Sequence, residues 1–297
     1  IGEHGNYPFN EKGQHLYPRY DLFSQVVDVF REAGVSVPVF CDKHLSYDWN
    51  KAKRMYDWSR ELRFPLMAGS SLPLAWRIPP LELEFGAPVE RAVVCFYGGK
   101  ESYGFHALES LQCMVERRHG GESGIQAVRC LEGPAVWEWS GANPWAARLL
   151  DAALARCPDK KPGSTRDTVR EPVLFVLEYR DGLQGAAYLL NGHITTTGFA
   201  ASLRNSETPV STRIELQSGR PFGHFSPLAY YIERMMITGK PSYPVERTLL
   251  TTGALAALMD SSFRKGERLD TPHLAVSYSA PRQSLYNRGP MPPLESG

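Results

Sequence analysis

The sequence predicts two kinds of organisation in tandem. An α/β part, a partial doubly wound parallel sheet, covers residues 1–78; an α+β part, an open antiparallel sheet with helices on one face, covers residues 79–280. Three observations carry this. Short, nearly continuous apolar runs alternate with amphipathic stretches up to residue 78, which is the pattern of strands buried on both faces between helices. After Pro79-Pro80 the strand-like runs crowd together. Between two of them, "VLFVLEYR" and "LQGAAYLLN", stands Asp181-Gly182, a strong hairpin signal.

Residues 21–33, "DLFSQVVDVFREA", place apolar side chains at 22, 23, 26, 27, 29 and 30, and Gly34 closes the resulting helix. Residues 37–41 form a short apolar strand. Ser46 is positioned to cap a second helix over 48–62, whose inner face carries Ala52, Met55, Tyr56 and Trp58. "FPLMAGS" supplies the next strand, expected to run parallel beside the first.

Beyond Pro80, "AVVCFYGG" reads as a strand and residues 103–117 as a helix burying Leu108, Leu111, Met114 and Val115. "IQAVRCL", "VLFVLEYR", "GAAYLLN", "FAASL" and "STRIELQ" are further strands, and two helices follow over 224–238 and 245–263. Residues 158–171 form a polar loop, and residues 281–297 have the composition of a disordered tail.

A formal net charge of +1 supplies no field for nucleic acid or an anionic membrane, and no apolar run is long enough to span a bilayer. Cys41, Cys95, Cys113, Cys130 and Cys157 lack close metal-ligand spacing, so small buried hydrophobes in a reducing, cytoplasmic setting are expected. The chain opens on Ile1, and "IGEHG" reads as a strand breaking into a loop, so the expectation is a fragment that starts inside a domain. Glu3, His4 and His15 have no metal-binding spacing, and no metal is expected. Ser70-Ser71 lacks the glycines of a nucleophile elbow. Arg117-Arg118-His119 reads as a cationic helix end. Trp137, Trp139 and Trp145, with Tyr103, suit either sugar stacking or core packing.

Lys43 is the informative position. In a doubly wound sheet, ligands bind beyond the carboxyl ends of strands, and Asp42-Lys43-His44 ends one. A lysine there can hydrogen-bond a hydroxyl, although a solvated loop lysine fits the same spacing.

"VFCDKHLSYDWNKAKRMYDWSRELRFPLMAGSSLPLAWR" resembles the segment of the Gfo/Idh/MocA family (glucose–fructose oxidoreductase, inositol dehydrogenase and relatives) in which a strand ends in Glu-Lys-Pro. The family's lysine, which contacts nicotinamide ribose and substrate, falls on Lys43, and the proline is replaced by His44. "GGKESYGFHALESL" is similar to the family's Asp-x-Gly-x-His-x-x-Asp. Gly104, His106 and Glu109 match, whereas Ser102 stands at the leading aspartate with Glu101 beside it. "EPVLFVLEYRDGLQGAAYLLNG" and "GKPSYPVERTL" resemble its sheet strands and the connection to its closing helices, so the likeness spans about residues 1–278. No Gly-x-Gly-x-x-Gly, the turn that seats a pyrophosphate, follows a strand in this sequence.

The resemblance implies that residues 1–78 are the C-terminal half of a Rossmann-like dinucleotide-binding domain and residues 79–280 a substrate and oligomerisation domain. It implies NAD or NADP as cofactor and a sugar, cyclitol or related polyol as substrate, with a homo-oligomer built through the open sheet. Lys43, His106, Glu101 and Glu109 become the catalytic candidates; Glu101 or Glu109 is expected to orient His106. Glu3, His4, Asn6, Asp42 and Lys43 are expected to face the cofactor, and His44, Arg77, Ser102 and Tyr103 the substrate. The alternative is a non-redox descendant, a sugar-binding or regulatory protein, which the changes at His44 and Ser102 favour.

Overall fold

The computed structural model describes residues 5–217 and 219–295. Helix α1 (Arg19–Ala33), strand β1 (Val39–Asp42), helix α2 (Trp49–Glu61) and strand β2 (Leu66–Gly69) form the first unit. β1 and β2 pair in parallel, Val39 opposite Leu66 through Asp42 opposite Gly69, as the alternating pattern predicts. Gly34 ends α1 in the left-handed conformation. Asp48, not Ser46, caps α2: its carboxylate accepts from the Lys51 N–H at 2.9 Å, while the Ser46 hydroxyl accepts from the Asp48 N–H. Phe23, Val27, Val39, Cys41, Ala52, Met55, Trp58 and Leu66 close the core of this unit.

The second unit contains β3 (Trp76–Ile78), β4 (Val89–Phe96), α3 (Ser102–Val115), β5 (Ile125–Glu132), α4 (Pro134–Ala142), α5 (Pro144–Leu154), α6 (Thr165–Thr168), β6 (Val173–Tyr179), β7 (Gln184–Leu189), β8 (Thr197–Leu203), β9 (Val210–Glu215), α7 (Ser226–Thr238), α8 (Glu246–Phe263) and β10 (Leu269–Asp270). Its strands follow the order β10-β5-β6-β7-β4-β8-β9-β3. The Asp181-Gly182 turn joins β6 and β7 as an antiparallel hairpin. The sheet is mixed rather than purely antiparallel, because β4 and β7 run parallel while the other pairings are antiparallel. A parallel neighbour needs a crossover, and the segment from α3 through β6 supplies it.

Alternation along β4 sends Val94 and Phe96 to the face covered by α3 and α8, and Val93 and Cys95 to the opposite face. That second face was expected to stand open as an oligomerisation surface. Instead α4 and α5 cover part of it, burying Val136, Leu149, Leu150, Ala153 and Leu154 against Val176, Ala186, Tyr188 and Ala200. The signal is present in the sequence: apolar side chains at 146, 149, 150, 153 and 154 have helical spacing, and Pro134 and Pro144 are the first residues of their helices.

α8 fastens the two units together. Val245 at its start and Leu249 pack into the first core, whereas Leu250, Ala254 and Leu258 pack into the second. At Gly253 a Cβ atom would lie 2.4 Å from Leu274 and 2.5 Å from the Trp49 ring at the start of α2, so only glycine permits this crossing. Buried charge adds a second fastening between α8 and α3. Arg247 donates through Nη2 and Nε to the two oxygens of Glu116 at 2.5 and 2.8 Å, and the Tyr278 hydroxyl donates to the same carboxylate.

The tail has no regular structure between residues 281 and 295, in keeping with its composition, but it lies against the body instead of hanging free. Asn287 N–H donates to the Leu74 carbonyl, Trp76 Nε1 donates to the Gly289 carbonyl, and Tyr286 is buried beneath the Arg77 guanidinium. Among the described residues, no helix is long and apolar enough to cross a membrane.

Candidate active site

The site forms where the carboxyl end of β1 meets the amino end of α3. Lys43 follows β1 directly, with φ at 70°, a left-handed conformation that costs a non-glycine residue about 1 kcal/mol or more. Two backbone bonds hold it there: Lys43 N–H donates to the Gly69 carbonyl at 3.0 Å, and Gly69 N–H to the Lys43 carbonyl at 3.1 Å. The Lys43 ammonium reaches both oxygens of Asp42 at 2.8 Å, and its side chain stays 32% exposed, available to a ligand.

His106 sits in the first turns of α3 with its ring half-buried. Its Nδ1 is buried and has no hydrogen-bond partner among the described residues. Burial, reinforced by the positive charge of Lys43 and opposed by Asp42, pulls its pKa down to about 3. Lys43 and Asp42 of the first unit therefore lie near enough to His106 of the second for their charges to act on its ring. The imidazole is neutral at ordinary pH, leaving a ring nitrogen able to accept a proton.

The two acids do not orient His106. Glu101 precedes α3, and its Oε2 bonds His15 Nδ1 at 2.7 Å. Its Oε1 lies 3.6 Å from His44 Nε2, and neither of these two buried atoms has a hydrogen-bond partner among the described residues. Burial raises the Glu101 carboxyl and, as the leading cause, lowers the His44 imidazole well below its usual range. Both shifts favour the neutral forms of the pair. His44 also gives its carbonyl to Arg19 at 2.5 Å and packs its ring on Phe105, so it is a wall of the site's floor more than a free substrate ligand.

Glu109 lies three residues past His106 on α3 and points toward α8. Its Oε1 accepts from Thr251 at 2.7 Å and Thr248 at 3.3 Å. Gly69, with φ at 117°, makes room for it, since a Cβ there would stand 2.6 Å from Glu109 Oε2. Burial raises this carboxyl too, and its place is behind the Lys43–Gly69 bridge. Its Oε1 is taken up by the two threonines of α8 and not by His106, although i and i+3 share a helix face.

Ser102 opens α3 half-buried near Gly99, and Tyr103 is 40% exposed, its ring 6.0 Å from His106 and 5.4 Å from Tyr97. Arg77 is engaged elsewhere: it is buried, donates to the Leu81 carbonyl, sits 3.6 Å from Glu82 and covers Tyr286. Asn6 is exposed, while Glu3 and His4 lie outside the described residues. Trp137, Trp139 and Trp145 pack with the core on the other face of the sheet, as one of their two readings anticipated. No group of three His, Cys, Asp or Glu arranged to hold a metal occurs among the described residues.

Four further residues contribute in roles the sequence did not assign them. His15 completes the Glu101 contact; Tyr97 extends the aromatic wall; Asn191 clamps both the N–H and the carbonyl of Gly98; and His224, held by its Nδ1 to the Gln217 carbonyl at 2.8 Å, senses the Lys43 charge. His15, Asn191 and His224 stand far along the chain from α3, so no spacing pattern announces them, whereas Tyr97 lies just before it.

No family model matches the sequence, and no curated protein does. Solved structures do resemble it. GenD2 from gentamicin A biosynthesis, in complex with NAD, superposes with a TM-score of 0.55 at 12% identity, over 86% of this chain and 75% of that one. A probable dehydrogenase from Thermotoga maritima gives 0.53 at 11% identity, over 84% and 77%. The myo-inositol 2-dehydrogenase from Lactobacillus plantarum gives 0.50 at 13% identity, over 86% and 78%. The chain therefore has the fold of the Gfo/Idh/MocA-type oxidoreductases.

Proposed function

We propose that this protein is an NAD(P)-linked oxidoreductase acting on a sugar, cyclitol or related polyol. What supports this reading is that Lys43, directly after β1 and next to His44 which packs on the start of α3, brings its charge close enough to His106 to help depress the imidazole. In this reading residues 1–78 face the dinucleotide and residues 79–280 the substrate.

The chain's own residues suit the proton side of such a reaction. Lys43 donates to the substrate hydroxyl and favours its alkoxide; His106, neutral and with an orphaned Nδ1, takes up the proton. Tyr97 and Tyr103 offer an aromatic wall for the apolar face of a sugar ring. A nicotinamide cofactor, when bound, would supply the hydride chemistry. The donor set fits the reacting end of such a cofactor, whereas a glycine turn for its pyrophosphate is not found among the described residues. The changes at His44 and Ser102 favour the second reading, a sugar-binding or regulatory protein of the same fold without redox chemistry.

Equilibrium binding of NAD, NADP and a panel of polyols to the full chain, followed by tryptophan fluorescence, separates the two. Nicotinamide reduction that vanishes in Lys43→Met, with the melting temperature retained, supports the enzyme. Polyol binding without dinucleotide binding supports the second reading. If neither ligand class binds, the cleft assignment fails.

A further inference from the structure

Cys95 and Cys157 lie together in the core on the face of the sheet covered by α4 and α5. Their sulfurs are 3.7 Å apart, in contact, although the residues come from the central strand β4 and from the turn after α5. Cys95 is fully buried and Cys157 is 5% exposed, so the second is the one an oxidant reaches first.

The two thiols are also unlike each other. Burial raises Cys95 well above its usual range, while the hydrogen bond with Cys95 and another from Thr196 lower Cys157. Burial pushes Cys113 and Cys130, which sit elsewhere, up to about 12. A thiolate is the reactive form of cysteine, and the pair thus has a nucleophilic member beside a resolving one.

We propose that Cys95 and Cys157 are a modification site, forming a reversible intramolecular disulfide when a hydroperoxide is present. The Cys157 thiolate attacks the peroxide; a sulfur–oxygen bond forms, the oxygen–oxygen bond breaks, and the leaving oxygen picks up a proton. The Cys95 sulfur then attacks the sulfenic sulfur, forming the sulfur–sulfur bond and expelling water with the Cys95 proton. Two thiols lose two electrons and the peroxide gains them; a dithiol reverses the reaction. Closing the gap to the about 2 Å of a disulfide requires motion of the turn after α5, which is irregular, and little from the sheet. The bond ties α5 to the strand that leads into Tyr97 and the cleft.

The test treats the folded full chain with hydrogen peroxide and then counts thiols after denaturation. The expected result is a fall from five thiols to three, reversed by dithiothreitol. Peptide mapping should recover a Cys95–Cys157 linked pair lighter by about 2 Da than its two thiols. Cys157→Ser should abolish the two-thiol loss, and Cys95→Ser should halt Cys157 at a sulfenic acid trapped by a 1,3-dione. Five surviving thiols, a link to another cysteine, a link between two chains, or no trapping in Cys95→Ser would each overturn the proposal. Should a variant fail to fold, the peptide map of the unaltered chain still decides.

Discussion

His106 should make this protein lose stability as the solution is acidified, and His106→Gln should remove that loss. In the folded chain its pKa is about 3, against the ordinary 6.5. Between those values the unfolded chain binds a proton that the folded chain refuses. The contribution is therefore fully present above the ordinary value and is lost as pH falls toward the folded one. The slope cannot exceed about 1.4 kcal/mol per pH unit for one group, so acidifying from about pH 6 to about pH 4 costs at most about 2.5 kcal/mol. Partial exposure of the ring brings the expected figure to about 1–2 kcal/mol. Urea unfolding at several pH values, read by tryptophan fluorescence, measures it as the difference between the parent and the variant. His44, lowered by burial, has the same sign; Glu101 and Glu109, raised by burial, have the opposite one. All three remain in both proteins and cancel from the comparison. Parallel stability curves in this window would refute the account of a neutral, desolvated His106 beside Lys43.

Arg247→Met removes one half of a pair in which both side chains are 4% exposed, stranding the Glu116 carboxylate between α3 and α8. The expected cost is about 3–5 kcal/mol, read from the urea midpoint, and a loss below about 1 kcal/mol would show that the pair does not hold the helices together. Gly253→Ala forces a methyl group to within 2.4 Å of Leu274 and 2.5 Å of Trp49 at the α2–α8 crossing. It should destabilise by about 1–3 kcal/mol in thermal denaturation and weaken ligand binding at Lys43, whereas an unchanged melting temperature would contradict so close a crossing.

The sequence by itself determined the parallel pair β1–β2, the β6–β7 hairpin, the α1 cap and the carboxyl-end position of Lys43. Each follows from local rules: apolar period, turn chemistry, or a glycine at a left-handed position. α5 too has its signal at that level, in the apolar spacing from Ala146 to Leu154. The environment of His106 could not be read that way. Glu101 and Glu109 are its neighbours along the chain, and partners from other elements draw one to His15 and the other to Thr251. Tertiary packing decided that the Lys43 charge acts on His106, that His44 presses against Glu101, and that Cys95 touches Cys157. These contacts join segments whose separation along the chain carries no periodic signal, and burial then sets their charge states.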